Sequence, residues 1–263
     1  MINYFFNLSP IIQALLATIF TWAVTALGAG LVFFFKKINK NVLDAMLGIA
    51  AGVMIAASFW SLLSPAIEMA DNLKLNSVLI VVLGFLSGGL LLFISDRIFK
   101  RFEHKFENSS FKRSAMLISS ITMHNIPEGI AVGVAFGSVM YNLDGANILS
   151  ACLLALGIGI QNFPEGTAVS VPLRRDGMSR KKAFFFGQLS GIVEPISGVL
   201  GALLVLKMRY ILPFLLAFAA GAMIYVVVEE LIPESQTNEN KDLMAFCTLI
   251  GFCIMMSLDV LLG

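Results

Sequence analysis

Apolar residues run along this chain in eight long, nearly uncharged stretches separated by short polar connections, with approximate bounds 10–35, 42–70, 75–98, 114–140, 146–172, 182–206, 210–232 and 242–262. At 1.5 Å of rise per residue, about 20 helical residues cross the roughly 30 Å hydrocarbon core of a bilayer, so each stretch is long enough for one crossing. The fourth and fifth are interrupted by polar residues, yet both are needed as full crossings to place their neighbours. The pattern predicts an all-α polytopic membrane protein of eight transmembrane helices, one integral membrane domain over 1–263 with no soluble domain. No Lys or Arg precedes Lys36. The first stretch therefore lacks the basic leader of a cleaved signal peptide and is expected to remain as a permanent span.

The interruptions themselves are patterned. His124-Asn125-Ile126-Pro127-Glu128-Gly129 and Gln161-Asn162-Phe163-Pro164-Glu165-Gly166 are two copies of one motif, 37 residues apart. His124 with Glu128, and Gln161 with Glu165, stand i, i+4 on a helix and share a face, and Asn125 and Asn162 lie close to it. Each proline lacks the N–H that would bond four residues back, so the carbonyls of Met123 and Ile160 lose their helical partner. Imidazole, carboxylates, amide oxygens and freed carbonyls converging in an apolar medium suit a divalent cation. Mutual hydrogen bonding would explain a lone His or Asn in a kinked helix. Two ionised glutamates, each costing roughly 2.5–3.5 kcal/mol at mid-bilayer, call for a compensating cation or proton. Glu194-Pro195 adds a third carboxylate at the middle of the sixth span.

Composition agrees: 58% of residues are hydrophobic, 13% are charged and the mean hydropathy is +0.87. The net charge of +1 gives no reason to expect a nucleic-acid partner. Its segregation is informative. Lys36, Lys37, Lys40, Arg97, Lys100, Arg101, Lys105, Lys112, Arg113, Arg174, Arg175, Arg180, Lys181, Lys182 and Lys241 fall in odd-numbered connections, against Lys74, Lys207 and Arg209 in even ones. Basic loops stay cytoplasmic, which puts both termini outside and the two motifs antiparallel at the membrane midplane. Cys152, Cys247 and Cys253 lie in apolar runs without a Cys-x-x-Cys pair and are expected to pack. No phosphate-binding Gly-rich loop ending in Gly-Lys-Ser/Thr is present, which argues against an ATP-driven pump.

Gly129, Gly133 and Gly137 on the fourth span, and Gly187, Gly191 and Gly198 on the sixth, are small-residue stripes that let helices approach. Met54, Ser58, Ser61, Pro65 and Glu68 share one face of the second span. Such a stripe also serves simple packing, but Glu68 at its outer end favours a cation path. Ala50-Ala51-Gly52-Val53-Met54-Ile55 matches Ala219-Ala220-Gly221-Ala222-Met223-Ile224, one running outward and the other inward. This suggests inverted repeats, spans 1–3 against 6–8 around the motif pair, a 3+2+3 arrangement. On that relation the inward path runs from Met223 toward Glu229 and Glu230, with Asp96 at the corresponding end of the third span.

With these motifs the chain resembles the ZIP family of divalent-metal transporters, over nearly its whole length, and a bacterial inner-membrane member in particular. The resemblance implies a midplane centre on spans 4, 5 and 6 for one or two ions. One ion would meet His124, Glu128, Gln161 and Glu165 with Met54 nearby; the other would meet Asn125, Glu128, Asn162, Glu165 and Glu194. Relatives often carry Asp where Asn162 stands. Zn2+ is the implied cargo, and Fe2+, Mn2+ and Cd2+ suit the same donors. The resemblance also implies an elevator-like motion of spans 1, 4, 5 and 6 and a homodimer. Two rivals remain: a passive divalent-cation channel, and an intramembrane metalloenzyme, for which no His-Glu-x-x-His is present.

Overall fold

The structure is a computed structural model, and it describes residues 5, 7–34, 40–102, 109–141, 147–175 and 177–262. Among the described residues every regular element is helical and there is no strand. Long apolar segments favour this outcome because a helix satisfies its backbone hydrogen bonds internally. The elements are α1 (Pro10–Phe33, closing in a 3-10 turn), α2 (Lys40–Asn72), α3 (Ser77–Phe102), α4 (Ser109–Met140), α5 (Ile148–Arg175), α6 (Arg180–Leu203), α7 (Val205–Ser235) and α8 (Lys241–Leu262). Among the described residues, seven of these helices, α1 to α3 and α5 to α8, are long and apolar enough to cross a membrane. The chain is a multi-pass membrane protein. Ser9, extended at φ −63° and ψ 144°, leads into Pro10 at the first turn of α1, where a missing N–H costs nothing. Ser179 caps α6 by accepting from Lys182 N.

Three helices depart from regularity, each beside a proline. α2 contains a π-helical segment at Ser58–Leu63, ahead of Pro65, and α7 contains one at Val227–Leu231, ahead of Pro233. α6 is broken between Leu189 and Val193. There Glu194 N bonds to Gly191 O at 3.0 Å, one residue short of its α-helical partner Ser190, and the ring of Pro195 bars the next bond. The Ser190 carbonyl is left available to another helix.

The helices pack as two sets. α1 lies along α5 and α4 along α6, with α1 also against α4 and α6; α2 lies along α8 and α3 along α7, with α2 against α7. Close backbone approach makes these pairs. A Cβ on Gly52 would strike the Thr248 carbonyl and one on Gly251 that of Ile49; across α3 and α7, Gly221 meets Phe85 O and Gly88 meets Phe218 O. The sets meet mainly where α4 touches α7 and α2 touches α5. The largest core cluster spans that junction, with Met54 and Leu62 of α2, Ile121 of α4, Val169 of α5 and Met223 of α7. Val78, Leu79, Leu83 and Leu86 on α3, and Phe246, Leu249 and Ile254 on α8, are exposed. Apolar faces of this size mark contact with a membrane or with another protein chain.

Candidate metal centre

The middles of α4, α5 and α6 bring the polar residues together. Asn125 and Glu128 on α4, Gln161, Asn162 and Glu165 on α5, and Glu194 at the break in α6 are all 0% exposed. Pro127 and Pro164 lie inside their helices without ending them. The side chain of His124 lies outside the described residues.

Glu128 accepts a hydrogen bond from Gln161 Nε2, linking α4 to α5. Asn125 Nδ2 donates to the freed Ser190 carbonyl at 3.0 Å, linking α4 to α6. Asn162 Nδ2 lies 2.9 and 3.0 Å from the two carboxylate oxygens of Glu194 and 3.3 Å from Thr21 O. The Thr21 hydroxyl also bonds to Glu194, so α1 joins the site. In each of the Gln161, Asn125 and Asn162 contacts the side-chain amide is the donor. Its oxygen therefore points elsewhere: Asn125 Oδ1, Gln161 Oε1 and Asn162 Oδ1 are buried and accept no hydrogen bond from any described residue. An unsatisfied buried acceptor costs about 1–3 kcal/mol, so three such oxygens in one cluster with three buried carboxylates make an electron-rich region. Among the described side chains, no three His, Cys, Asp or Glu groups converge closely enough to hold an ion unaided.

The flanking residues fall into separate places. Met54 is fully buried in the core; the Ser58 hydroxyl lies 2.7 Å from Met54 O and 3.0 Å from Met223 Sδ. Ser61 and Glu68 line a cavity of about 350 Å3 between α2, α5 and α8, with Trp60, Ser150 and Gly157. Asp259 of α8, which the sequence did not single out, lines the same cavity and accepts a 3.0 Å hydrogen bond from Ser61 Oγ. Asp96 is buried on α3, while Glu230 is half-buried and Glu229 exposed in the π segment of α7. These three take no part in that cavity. Thr21 was missed as well, although Thr18, Thr21 and Thr25 stand as a polar stripe in an otherwise apolar helix.

The family model described as ZIP Zinc transporter matches residues 11–114 and 106–259, almost the entire chain. The chain belongs to the ZIP family. ZIP proteins are transporters, which removes the metalloenzyme reading. Zinc transporter ZIP11 of Xenopus tropicalis is 40% identical, covering 97% of this chain and 98% of its own. Zinc transporter GufA of Myxococcus xanthus is 33% identical over 95% of this chain and 98% of its own. Zinc transporter ZIPB of Bordetella bronchiseptica is 34% identical over 92% and 79%. Relatives in both animals and bacteria thus match over most of the chain.

Proposed function

We propose that this chain is an eight-span ZIP carrier that moves zinc toward the cytoplasm through one midplane centre, by alternating access. The centre comprises His124, Asn125, Glu128, Gln161, Asn162, Glu165 and Glu194, with Met54 on the neighbouring set of helices. The observation that carries the reading is the trio of buried, unbonded amide oxygens beside the carboxylates. A divalent cation is what such a pocket attracts in an apolar medium. Zinc as cargo is also what the relatives' names suggest. Fe2+, Mn2+ and Cd2+ fit the same donors.

An inverted 3+2+3 arrangement is supported by pairs of contacts that exchange with one another. The π segments begin at Ser58 and Val227, 169 residues apart, the same offset that relates the Ala-Ala-Gly repeats. Exchanging α2 with α7 and α3 with α8 carries the Gly52 and Thr248 contact onto Gly221 and Phe85, and that of Gly251 and Ile49 onto Gly88 and Phe218. Exchanging α1 with α6 and α4 with α5 carries the Asn125 bond to Ser190 O onto the Asn162 bond to Thr21 O. With the charge bias, this favours eight crossings, both termini outside, in a cell membrane such as the bacterial inner membrane. A second copy of the chain is the partner the family resemblance suggests.

Ions enter along Ser61, Glu68 and Asp259 and leave past Met223 toward Asp96, Glu229 and Glu230. A carrier is favoured over a channel because the cavity reaches Ser61 while Met223 is fully buried. Uptake into proteoliposomes across Zn2+, Fe2+, Mn2+ and Cd2+, with and without a pH gradient, tests the reading. Saturable zinc uptake is expected. Flux that rises without saturation would return the channel, and absence of zinc uptake would end the proposal.

A further inference from the structure

The polar cluster divides into two hydrogen-bonded sets. One joins Glu128 to Gln161; the other joins Glu194 to Asn162 and Thr21. In the second set the geometry fixes which way the amide faces. A backbone carbonyl only accepts hydrogen bonds, so the Asn162 atom lying 3.3 Å from Thr21 O, and 2.9 and 3.0 Å from the two Glu194 oxygens, is the NH2 group. That nitrogen has no lone pair to offer a metal. The oxygen of the same amide is turned away from Glu194, buried and without a donor.

An ion shared between Asn162 and Glu194 would need the amide reversed. Reversal breaks the bonds to Glu194 and to Thr21 O together and leaves the NH2 group facing the ion. The carboxylate is also fitted to its present place. A Cβ on Gly191 would lie 2.9 Å from Thr25 Oγ1 and 3.2 Å from Glu194 Oε1, so glycine there leaves room for both side chains, and the Thr21 hydroxyl reaches the carboxylate from α1. Charge points the same way: Glu128 and Glu165 balance one divalent ion, and a second would face Glu194 alone.

Resting on the reading of this cluster as the cargo site, we propose that the centre binds a single divalent ion. Glu194, held by Thr21, is then a positioning residue that turns the Asn162 amide oxygen toward that ion, and is not itself the ligand of a second one. Asn125 follows the same design, its nitrogen tied to Ser190 O and its oxygen left open. Each motif asparagine is thus anchored through nitrogen to the helix behind it, Thr21 on α1 or Ser190 on α6.

The test is zinc titration of the purified full chain in nanodiscs, reading bound zinc per chain by elemental mass spectrometry and its neighbours by X-ray absorption at the zinc edge. Glu128→Ala serves as the background to subtract. Wild type is expected to hold one zinc in excess of that background. Thr21→Val, which removes the hydroxyl at nearly constant shape, is expected to weaken affinity about tenfold at unchanged stoichiometry, and Thr21→Ser to restore it, in line with the loss of one charge-assisted hydrogen bond. Asn162→Asp is expected to bring in a second zinc, because a carboxylate cannot donate to Glu194 and two facing acids attract a cation. Two zinc ions of matching affinity in wild type would overturn the inference and leave the cargo site standing. Equal affinity in wild type, Thr21→Val and Thr21→Ser would remove Thr21 from the design. No zinc above background in wild type would overturn the site itself, a result that cannot be confused with the other two.

Discussion

Glu128 and Glu165 occupy the same place in the two motif copies, and both are fully buried where an ionised group is costly. On the proposed function, removing either would leave one carboxylate against a divalent ion and take away a ligand. Glu128→Ala or Glu165→Ala is therefore expected to lower zinc uptake by more than about 100-fold, with membrane insertion preserved, as counted by transport and by protein recovered in the membrane fraction. Wild-type uptake by either variant would separate the carboxylates from the cargo. These residues were legible in the sequence because charge in an apolar run has few innocent explanations. Thr21 was less so. A threonine in a membrane helix commonly bonds its own backbone, as Thr18 does to Ala14 O at 2.8 Å and Thr21 to Thr18 O at 3.0 Å. Nothing in the local pattern announces that the hydroxyl also reaches a carboxylate 173 residues away. Amide orientation is equally silent in a sequence, since it follows from which partners surround the group.

At the scale of elements, the spacing along α2 implied an unbroken α-helix, and the π segment adds a residue to one turn between Ser58 and Leu63. Ser61, Pro65 and Glu68 nonetheless line one cavity. Pro65 and Pro233 were visible in advance, but a proline specifies a disturbed helix without saying whether it kinks, breaks or bulges. The junction between the two helix sets holds a feature that periodicity cannot reveal: Arg175, the last residue of α5, pairs with Glu234 in the last turn of α7. The side chains are 27% and 20% exposed, so the pair is expected to contribute at most about 1 kcal/mol. That is enough to bias two arrangements of the sets by several-fold. Arg175→Gln or Glu234→Gln is expected to raise, by about two- to fivefold, the reactivity of a cysteine placed at Met223, and exchanging the two charges is expected to bring it back. Unchanged reactivity in both single variants would make the pair a surface contact without influence on the motion.

For the whole molecule, hydropathy was enough to give an all-helical membrane protein and approximate helix positions. The association of α1, α4, α5 and α6 on one side and α2, α3, α7 and α8 on the other was beyond it, because small-residue contacts are set by facing surfaces that lie far apart in the chain. The proposed alternating access, with one set moving against the other, would have a consequence at two buried positions. Ser61 sits at the wall of the cavity, and Met223 lies in the closed core in contact with Ser58. In a chain with Cys152, Cys247 and Cys253 replaced, single cysteines at Ser61 and at Met223 are expected to label from opposite faces of the membrane. Under the proposed alternating access, where one opening excludes the other, zinc is expected to shift the two reactivities in opposite directions. Labelling of both sites in the same molecules, from both faces and without mutual exclusion, would mean a continuous path and a channel. A Met223 probe that stays unreactive under every condition, beside a reactive Ser61 probe, would move the exit away from α7, and would leave the paired contacts of α2 and α7 as architecture rather than as two ends of one route.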